Sequence, residues 1–165
     1  MTTYKSDAVI AGLMPDYSRA GVVLARTGCY TTTSDDDELE SGDTLQMVPV
    51  PKNAQILDIH VTAKLIGGTL AWTGASGCHI GDGASPSRFM DDASLDVLVM
   101  QTMANDGKPA AIGYTYDEGN DTIDIFINSA ATATPTGTSI MMTVYYKMAG
   151  SIKDEDFQVE NAVGG

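Results

Sequence analysis

The sequence predicts an all-β protein that folds as an antiparallel β-sandwich, jelly-roll-like or immunoglobulin-like, of about eight strands. Apolar and polar residues alternate with a period of two from about Gly21 onward, and this period indicates strands with one buried face. The segments that alternate end in turn-forming residues, as in "ESGD", "NDGKP" and "TPTGT". The 165 residues suffice for one domain with its own core.

Each strand is placed by this alternation and by the turns that bound it. The strands are expected over residues 21–27, 44–50, 55–66, 68–74, 77–81, 112–117, 121–128 and 139–148. Residues 86–103 are the one helical candidate, and their apolar stripe is poor. We therefore expect at most one or two turns of helix there.

Three of these strands show clearly which face is buried. The expected core residues of the two longest are Leu57, Ile59, Val61, Ala63 and Leu65 in one and Ile140, Met142, Val144 and Tyr146 in the other. In 121–128 they are Ile123, Ile125 and Ile127, with Phe126 on the opposite side. The second face of the last strand carries Met141 and Tyr145, which is unusually apolar for a surface in water. That face is expected to have a partner.

The two ends of the chain differ from the middle. We expect an extended N-terminal arm over residues 1–19, a sandwich domain over 20–149 and an acidic C-terminal tail over 150–165. The arm either frays or orders against a neighbouring subunit. Its apolar residues suit the second alternative: Tyr4, Ile10, Leu13, Met14 and Tyr17. The first residues lack the pattern of a secretion signal, so the chain is expected to fold in a cytosol.

The charge of the chain limits its partners. Nine basic residues stand against 22 acidic ones, which gives a net charge of −13. Nucleic-acid binding proteins neutralise phosphates with lysine and arginine, so binding to nucleic acid is not expected. An anionic membrane surface is a poor partner for the same reason, and the sequence has no apolar run of the roughly 20 residues that cross a bilayer.

The segment "HIGDGASPSRF" most resembles a site of chemistry. A phosphate-binding loop would need further glycines, or a Gly-Lys-Ser/Thr sequence before a helix, and neither is present. The alternative is a tight turn in which Asp82 accepts backbone hydrogen bonds while Gly81 and Gly83 adopt positive φ. Arg88 then pairs with Asp82 or with the nearby aspartates at 91 and 92. We predict the turn.

The remaining candidates for chemistry do not form a catalytic or metal-binding pattern. The acidic loop 34–43 lacks the glycine and glutamate that an EF-hand needs at its sixth and twelfth positions, although it remains open whether this loop binds a cation. His60 lies on a polar strand face, and His79 points away from its neighbour Cys78. Cys29 and Cys78 are expected to be unpaired thiols. No catalytic residue, cofactor or metal is predicted.

Several of these segments, in this order, resemble a group of small virion proteins of tailed bacteriophages. The residues that carry the resemblance are "SGDTLQMVPVPKNAQILDIHVTAKLI", "GCHIGDGASPSRFM", "DTIDIFI" and "GTSIMMTVYYKM", which lie within residues 41–148. The resemblance does not cover the first 40 residues or the acidic tail. It implies a capsid decoration or cement protein without enzymatic activity, made in the host cytoplasm and bound to the outer capsid surface.

This resemblance also implies partners. They are the major capsid protein and further copies of the chain, with a trimer as the expected homo-oligomer. Interface residues are expected at Trp72, Phe126, Met141 and Tyr145, since aromatic residues and methionine are enriched in interface cores. Two alternatives stay open: a carbohydrate-binding sandwich with Trp72 and nearby tyrosines as a stacking surface, and a tail or head–tail connector component.

Overall fold

The computed structural model describes residues 3–6, 10, 22–31, 40–64, 78–95, 100–106, 108–128 and 139–149. Its strands are β1 (Thr3–Lys5), β2 (Val23–Thr31), β3 (Thr44–Val50), β4 (Ala54–Lys64), β5 (Cys78–Asp82), β6 (Ser85–Ala93), β7 (Gln101–Thr102), β8 (Asp121–Phe126) and β9 (Ser139–Met148). One helical turn, α1 (Met103–Asp106), and a 3-10 turn (Pro109–Ala111) complete the described elements. Neither helical turn in these ranges has the length or the apolarity to span a membrane.

The strands form two sheets. The five-stranded sheet has the order β1-β3-β8-β5-β6, and the four-stranded sheet has the order β2-β9-β4-β7. All neighbouring strands are antiparallel except β1 and β3, which are parallel. The prediction of an all-β antiparallel sandwich is thus confirmed.

The strand pairs are nested, and this nesting distinguishes the two predicted kinds of sandwich. The strand β2 pairs with β9, β3 with β8, β4 with β7 and β5 with β6. Successive pairs fall in alternate sheets. This is the arrangement of an eight-stranded jelly roll, and it differs from the immunoglobulin order, in which sheets ABED and CFG face each other.

The core lies between the sheets and is continuous. Its largest fully buried side chains are Phe89, Leu45, Met47, Ile56, Ile59, Ile80, Met90, Leu95, Met103 and Ile123. Strand β9 shows the predicted alternation, since Ile140, Met142, Val144 and Tyr146 are buried while Met141 is exposed. In β4 the prediction for Leu57 is wrong. A register shift between Ile56 and Asp58 lets Ile56 take the core position and leaves Leu57 half-buried.

Two other segments differ from their predicted structures. The first part of the helical candidate, residues 86–93, belongs to strand β6, because Met90 and Ala93 pair with Ile80 and Cys78 of β5 and are buried there. Tertiary burial thus overrides the weak local signal. The strand predicted at 112–117 is reduced to an isolated bridge between Gln55 and Thr115, flanked by backbone hydrogen bonds to the start of β4. The predicted strand 68–74 lies outside the described residues.

Gly81 is required by a close approach of backbone. A Cβ atom at this position would overlap the carbonyl oxygen of Ser85 and the backbone of Pro86. The predicted positive φ is wrong for both Gly81 and Gly83, since the positive-φ glycines of the described chain are Gly42 and Gly113. The turn therefore needs glycine at 81 for space rather than for backbone conformation.

We expect Gly81→Ala to lower the free energy of unfolding by about 2–3 kcal/mol, because the rigid backbone of the turn must move to admit the methyl group. Gly83→Ala is the matched control, since nothing lies within 4 Å of a Cβ atom there. Urea denaturation of the two variants checks this. Equal stabilities would contradict the described packing of the turn.

Candidate interaction surface

The outward side of the four-stranded sheet forms one continuous surface, which we call the four-stranded face. Strand β9 lies between β2 and β4. The register of these two strand pairs aligns the outward residues of the three strands in rows across the sheet. Its members are Val23, Ala25, Thr27, Cys29 and Thr31 of β2, Ser139, Met141, Thr143, Tyr145 and Lys147 of β9, and Gln55, Asp58, His60 and Thr62 of β4.

Contacts between neighbouring strands hold many of these side chains in place. The hydroxyl oxygens of Thr27 and Thr143 are 2.8 Å apart. The His60 ring lies 4.8 Å from the Tyr145 ring, centroid to centroid, and its Nε2 is 2.9 Å from Oδ2 of Asp58. These side chains are therefore partly ordered by contacts within the face itself. Side chains that are ordered before binding lose less entropy when a partner covers them.

The face has almost no net charge, unlike the chain as a whole. Asp58 and Lys147 are charged members of opposite sign, and Lys64 of β4, the register partner of Ser139, adds one positive charge, in a chain of net charge −13. Met141 is 44% exposed near the middle of it. Interface cores are depleted in charged residues and enriched in methionine and aromatic residues. This composition fits protein contact better than contact with solvent alone.

The turn between β5 and β6 is organised by the carboxylate of Asp82, which is buried. Its Oδ1 accepts hydrogen bonds from the backbone N–H groups of Ala84 (3.1 Å) and Ser85 (2.8 Å). Arg88 donates to the same carboxylate through Nε at 2.6 Å and Nη2 at 3.2 Å, and the hydroxyl of Tyr116 lies 3.2 Å from Oδ2. Asp82 thus joins the turn, β6 and the segment before β8.

Two tyrosines complete this cluster. The Arg88 guanidinium carbon lies 4.1 Å from the centre of the Tyr114 ring, which is a cation–π contact. Tyr116 meets Tyr114 edge-on at 5.1 Å. Burial raises the pKa of Tyr116 well above its usual range, and the charge of Asp82 adds to the shift. The hydrogen bond from Arg88 to Asp82 raises the pKa of Arg88, so the guanidinium stays charged. The cluster is a structural support.

An open cleft borders the cluster on its acidic side. Its walls include Tyr114 and Tyr116, and its rim carries Asp117, Glu118 and Asp121. Arg88 covers one side of the Tyr114 ring and Tyr116 is buried, so the two rings do not form a pair of exposed stacking surfaces. In the described ranges, no three or more His, Cys, Asp and Glu side chains are grouped to hold a metal ion.

The two histidines stand apart from each other and contact carboxylates. His60 Nε2 meets Asp58 on the four-stranded face, and His79 Nδ1 lies 2.8 Å from Asp91 Oδ1 on the other sheet. Cys78 is buried and Cys29 is partly exposed. At the described end of the acidic loop, the Asp43 carboxylate accepts the N–H of Glu40, which closes a turn.

The structure separates the predicted interface residues. Met141 and Tyr145 lie together on the four-stranded face, whereas Phe126 of β8 lies on the other sheet beside His79 of β5. Of the arm residues, Tyr4 belongs to β1 and Ile10 is 73% exposed. The other predicted contact residues lie outside the described residues: Leu13, Met14, Tyr17 and Trp72.

The alternation pattern did not predict a role for Tyr114 or Tyr116. It also did not predict that Thr27, Thr143 and His60 form one row across three neighbouring strands. The signal for the tyrosines is their spacing in "IGYTYD", which places two aromatic rings on one side of an extended segment. The signal for the rows is the alternation of β2 and β9, but their pairing joins residues more than 100 positions apart in the chain. Local pattern alone does not supply that pairing.

Together, the fold and the face define a jelly-roll β-sandwich with one outer sheet surface of low net charge. No protein-family model matches the chain, and no curated protein is significantly similar to it in sequence. Among solved structures, a chain in the capsid of Ralstonia phage GP4 shares the fold with a TM-score of 0.71 at 14% identity, over 90% of this chain and 99% of that chain. A chain in the cyanophage Pam1 capsid asymmetric unit does so with a TM-score of 0.58 at 18% identity, over 82% and 91%. These similarities show the fold.

Proposed function

We propose that this protein is a non-enzymatic structural component of a tailed-phage virion that decorates and stabilises the capsid. It binds the outer face of the major capsid protein lattice. Support comes from the fold, which is shared over nearly the full length of two chains from phage capsid structures. The sequence resemblance to small phage virion proteins supports the same function independently of the fold.

The observation that carries the proposal is the four-stranded face. A chain of net charge −13 repels other acidic surfaces, whereas the few charged residues of this face nearly balance. Exposed Met141 and half-buried Tyr145 give it an apolar centre within rows of threonine. We therefore assign the four-stranded face to the contact with the lattice.

The size of the face favours binding through several copies. Three strands of about nine residues cover on the order of 500 Å² at ordinary strand spacing, which is less than the roughly 800 Å² per partner of a standard interface. A single contact of this size is weak, but a homo-oligomer joins several such contacts and gains avidity. A trimer placed at a three-fold position of the lattice satisfies this requirement.

A cement protein stabilises by mass action, because it binds the assembled lattice and not the free subunits. The test is co-sedimentation of the purified protein with empty capsids of the phage that encodes it, followed by heating with and without the protein. We expect saturable binding and a higher temperature of capsid disruption. Binding to isolated tails or connectors instead would favour the tail alternative, and binding to a glycan array would favour the carbohydrate alternative.

We expect Met141→Glu to weaken capsid binding at least tenfold, because it places a charge in the apolar centre of the contact. Pro86→Glu is the control: Pro86 is also exposed and apolar, but it lies in β6, the edge strand of the five-stranded sheet. Quantitative co-sedimentation compares them. Equal binding by the two variants would remove the four-stranded face from the proposal.

A further inference from the structure

Strand β1 occupies the outer edge of β3 with very few contacts. Its three residues pair in parallel with Thr44, Leu45 and Gln46. The backbone N–H of the next residue, Ser6, donates to the carbonyl oxygen of Gln46 at 2.8 Å. Without β1, the edge of β3 would present unpaired N–H and C=O groups, which are a template for another strand.

A specific slot lies at the end of this edge. Ser6 is fully buried, and its hydroxyl donates to the carbonyl oxygen of Met47. Gly28 of β2 forms the opposite wall, since a Cβ atom there would overlap that same carbonyl oxygen and lie 3.0 Å from Ser6 Oγ. The slot therefore accepts a small polar side chain in the position that follows the paired strand. Edge and slot together recognise residues 3–6.

The chain connects this docked segment to β2 through a long stretch. Residues 7–22 separate Ser6 from Val23, and an extended chain of that length spans roughly 50 Å. Three apolar side chains near the two ends of this connection are exposed: Ile10 (73%), Val22 (48%) and Val23 (59%). While residues 3–6 dock on their own body, Ile10 and Val22 remain exposed to water, and burying such side chains against a second copy would favour exchange.

We propose that the edge of β3 is a strand-acceptor site that takes residues 3–6 of a second copy of this chain. The contacts are identical whether the segment comes from the same copy or a neighbour, so concentration decides between the two. A linker of this length gives an effective concentration on the order of 1 mM. Dilute protein keeps the segment on its own body, and packed copies exchange it. This exchange needs no capsid protein and so extends beyond the proposed function.

Paired cysteine substitutions test the exchange directly. Lys5 and Gln46 are register partners on adjacent strands, and this spacing suits a disulfide. All variants carry Cys29→Ser, because Cys29 is partly exposed. Copies with Lys5→Cys are mixed with copies with Gln46→Cys, oxidised, and examined by non-reducing electrophoresis. We expect abundant covalent dimers near 1 mM. Near 10 μM the fraction of chains in dimers should be about 1% of that value.

The double variant Lys5→Cys/Gln46→Cys is the control for the position of β1. At 10 μM it should form the bond within one chain, which its mass and loss of free thiols reveal. A within-chain bond in the double variant, with no dimer in the mixture at 1 mM, would overturn the exchange. Absence of both bonds would overturn the acceptor site itself. Adding Ser6→Leu to the Lys5→Cys copies should abolish the dimer, since leucine does not fit the slot.

Discussion

Replacing Asp82 with alanine is expected to lower the free energy of unfolding by about 3–5 kcal/mol, the usual cost of removing one partner of a buried ion pair. The carboxylate is 1% exposed and receives donors from Arg88, Tyr116 and two backbone N–H groups. Alanine leaves all of these donors without their acceptor. Because they belong to the turn, β6 and the segment before β8, the loss loosens one end of the sandwich.

Two comparisons make this prediction specific. Asp91→Ala removes a carboxylate that also contacts two basic side chains, His79 at 2.8 Å and Lys108 at 3.1 Å, but is half exposed. It should cost less than about 1 kcal/mol. Tyr116→Phe removes one donor to Asp82 and should be non-additive with Asp82→Ala in a double-mutant cycle. Urea denaturation at pH 7 compares the wild type, the three single variants and the double variant Asp82→Ala/Tyr116→Phe. Equal losses for Asp82→Ala and Asp91→Ala would contradict the central role of Asp82.

The second large effect is expected at Asp124, a buried carboxyl of β8. Burial raises its pKa to about 7, with further contributions from the charges of Asp121 and Asp82. Its Oδ1 has no hydrogen-bond partner among the described residues. The protonated form is therefore favoured in the folded protein. Between its usual value of 3.8 and about 7 the native state keeps a proton that the unfolded chain has released.

Stability should consequently fall as the pH rises from about 4 to about 7, by up to about 4 kcal/mol from this group alone. Asp124→Asn replaces the carboxylate by a neutral group of the same shape and should remove this part of the pH dependence. At pH 8 the variant should be more stable than the wild type by about 2–4 kcal/mol, and near pH 4 the two should be alike. Denaturation at both pH values checks this, with Asp92→Asn as the control at an exposed aspartate that does not contribute to the shift. Parallel pH profiles for wild type and Asp124→Asn would contradict it.

The parts of the fold that the sequence predicted are those with a strict period. Strand β9 alternates without interruption over ten residues, and its buried and outward sets are as expected. Strand β4 has the same pattern, but a register shift after Ile56 moves Leu57 out of the core. A bulge depends on how two strands fit across the ladder, so the sequence of β4 alone does not reveal it.

The candidate site was less predictable, for a related reason. The alternation placed Met141 and Tyr145 on one outward face. It did not show whether Phe126 lies on the same face. That depends on which strands form each sheet, and β8 belongs to the other sheet. The partners of Asp82 illustrate the same limit. Arg88 lies six residues away and was among its predicted partners, whereas Tyr116 lies 34 residues away and required the topology.

The nested strand pairs also have a consequence for how the molecule is made. The pair β5 and β6 is joined by the two residues between Asp82 and Ser85, whereas β2 and β9 join residues such as Thr31 and Ser139, 108 positions apart. Closing long loops costs more entropy and slows folding, so we expect the β5–β6 hairpin to form first and β2–β9 last. Strand β9 is also the last described strand to leave the ribosome, yet it lies between β2 and β4. A nascent chain thus has no four-stranded face, and only a finished molecule can present one.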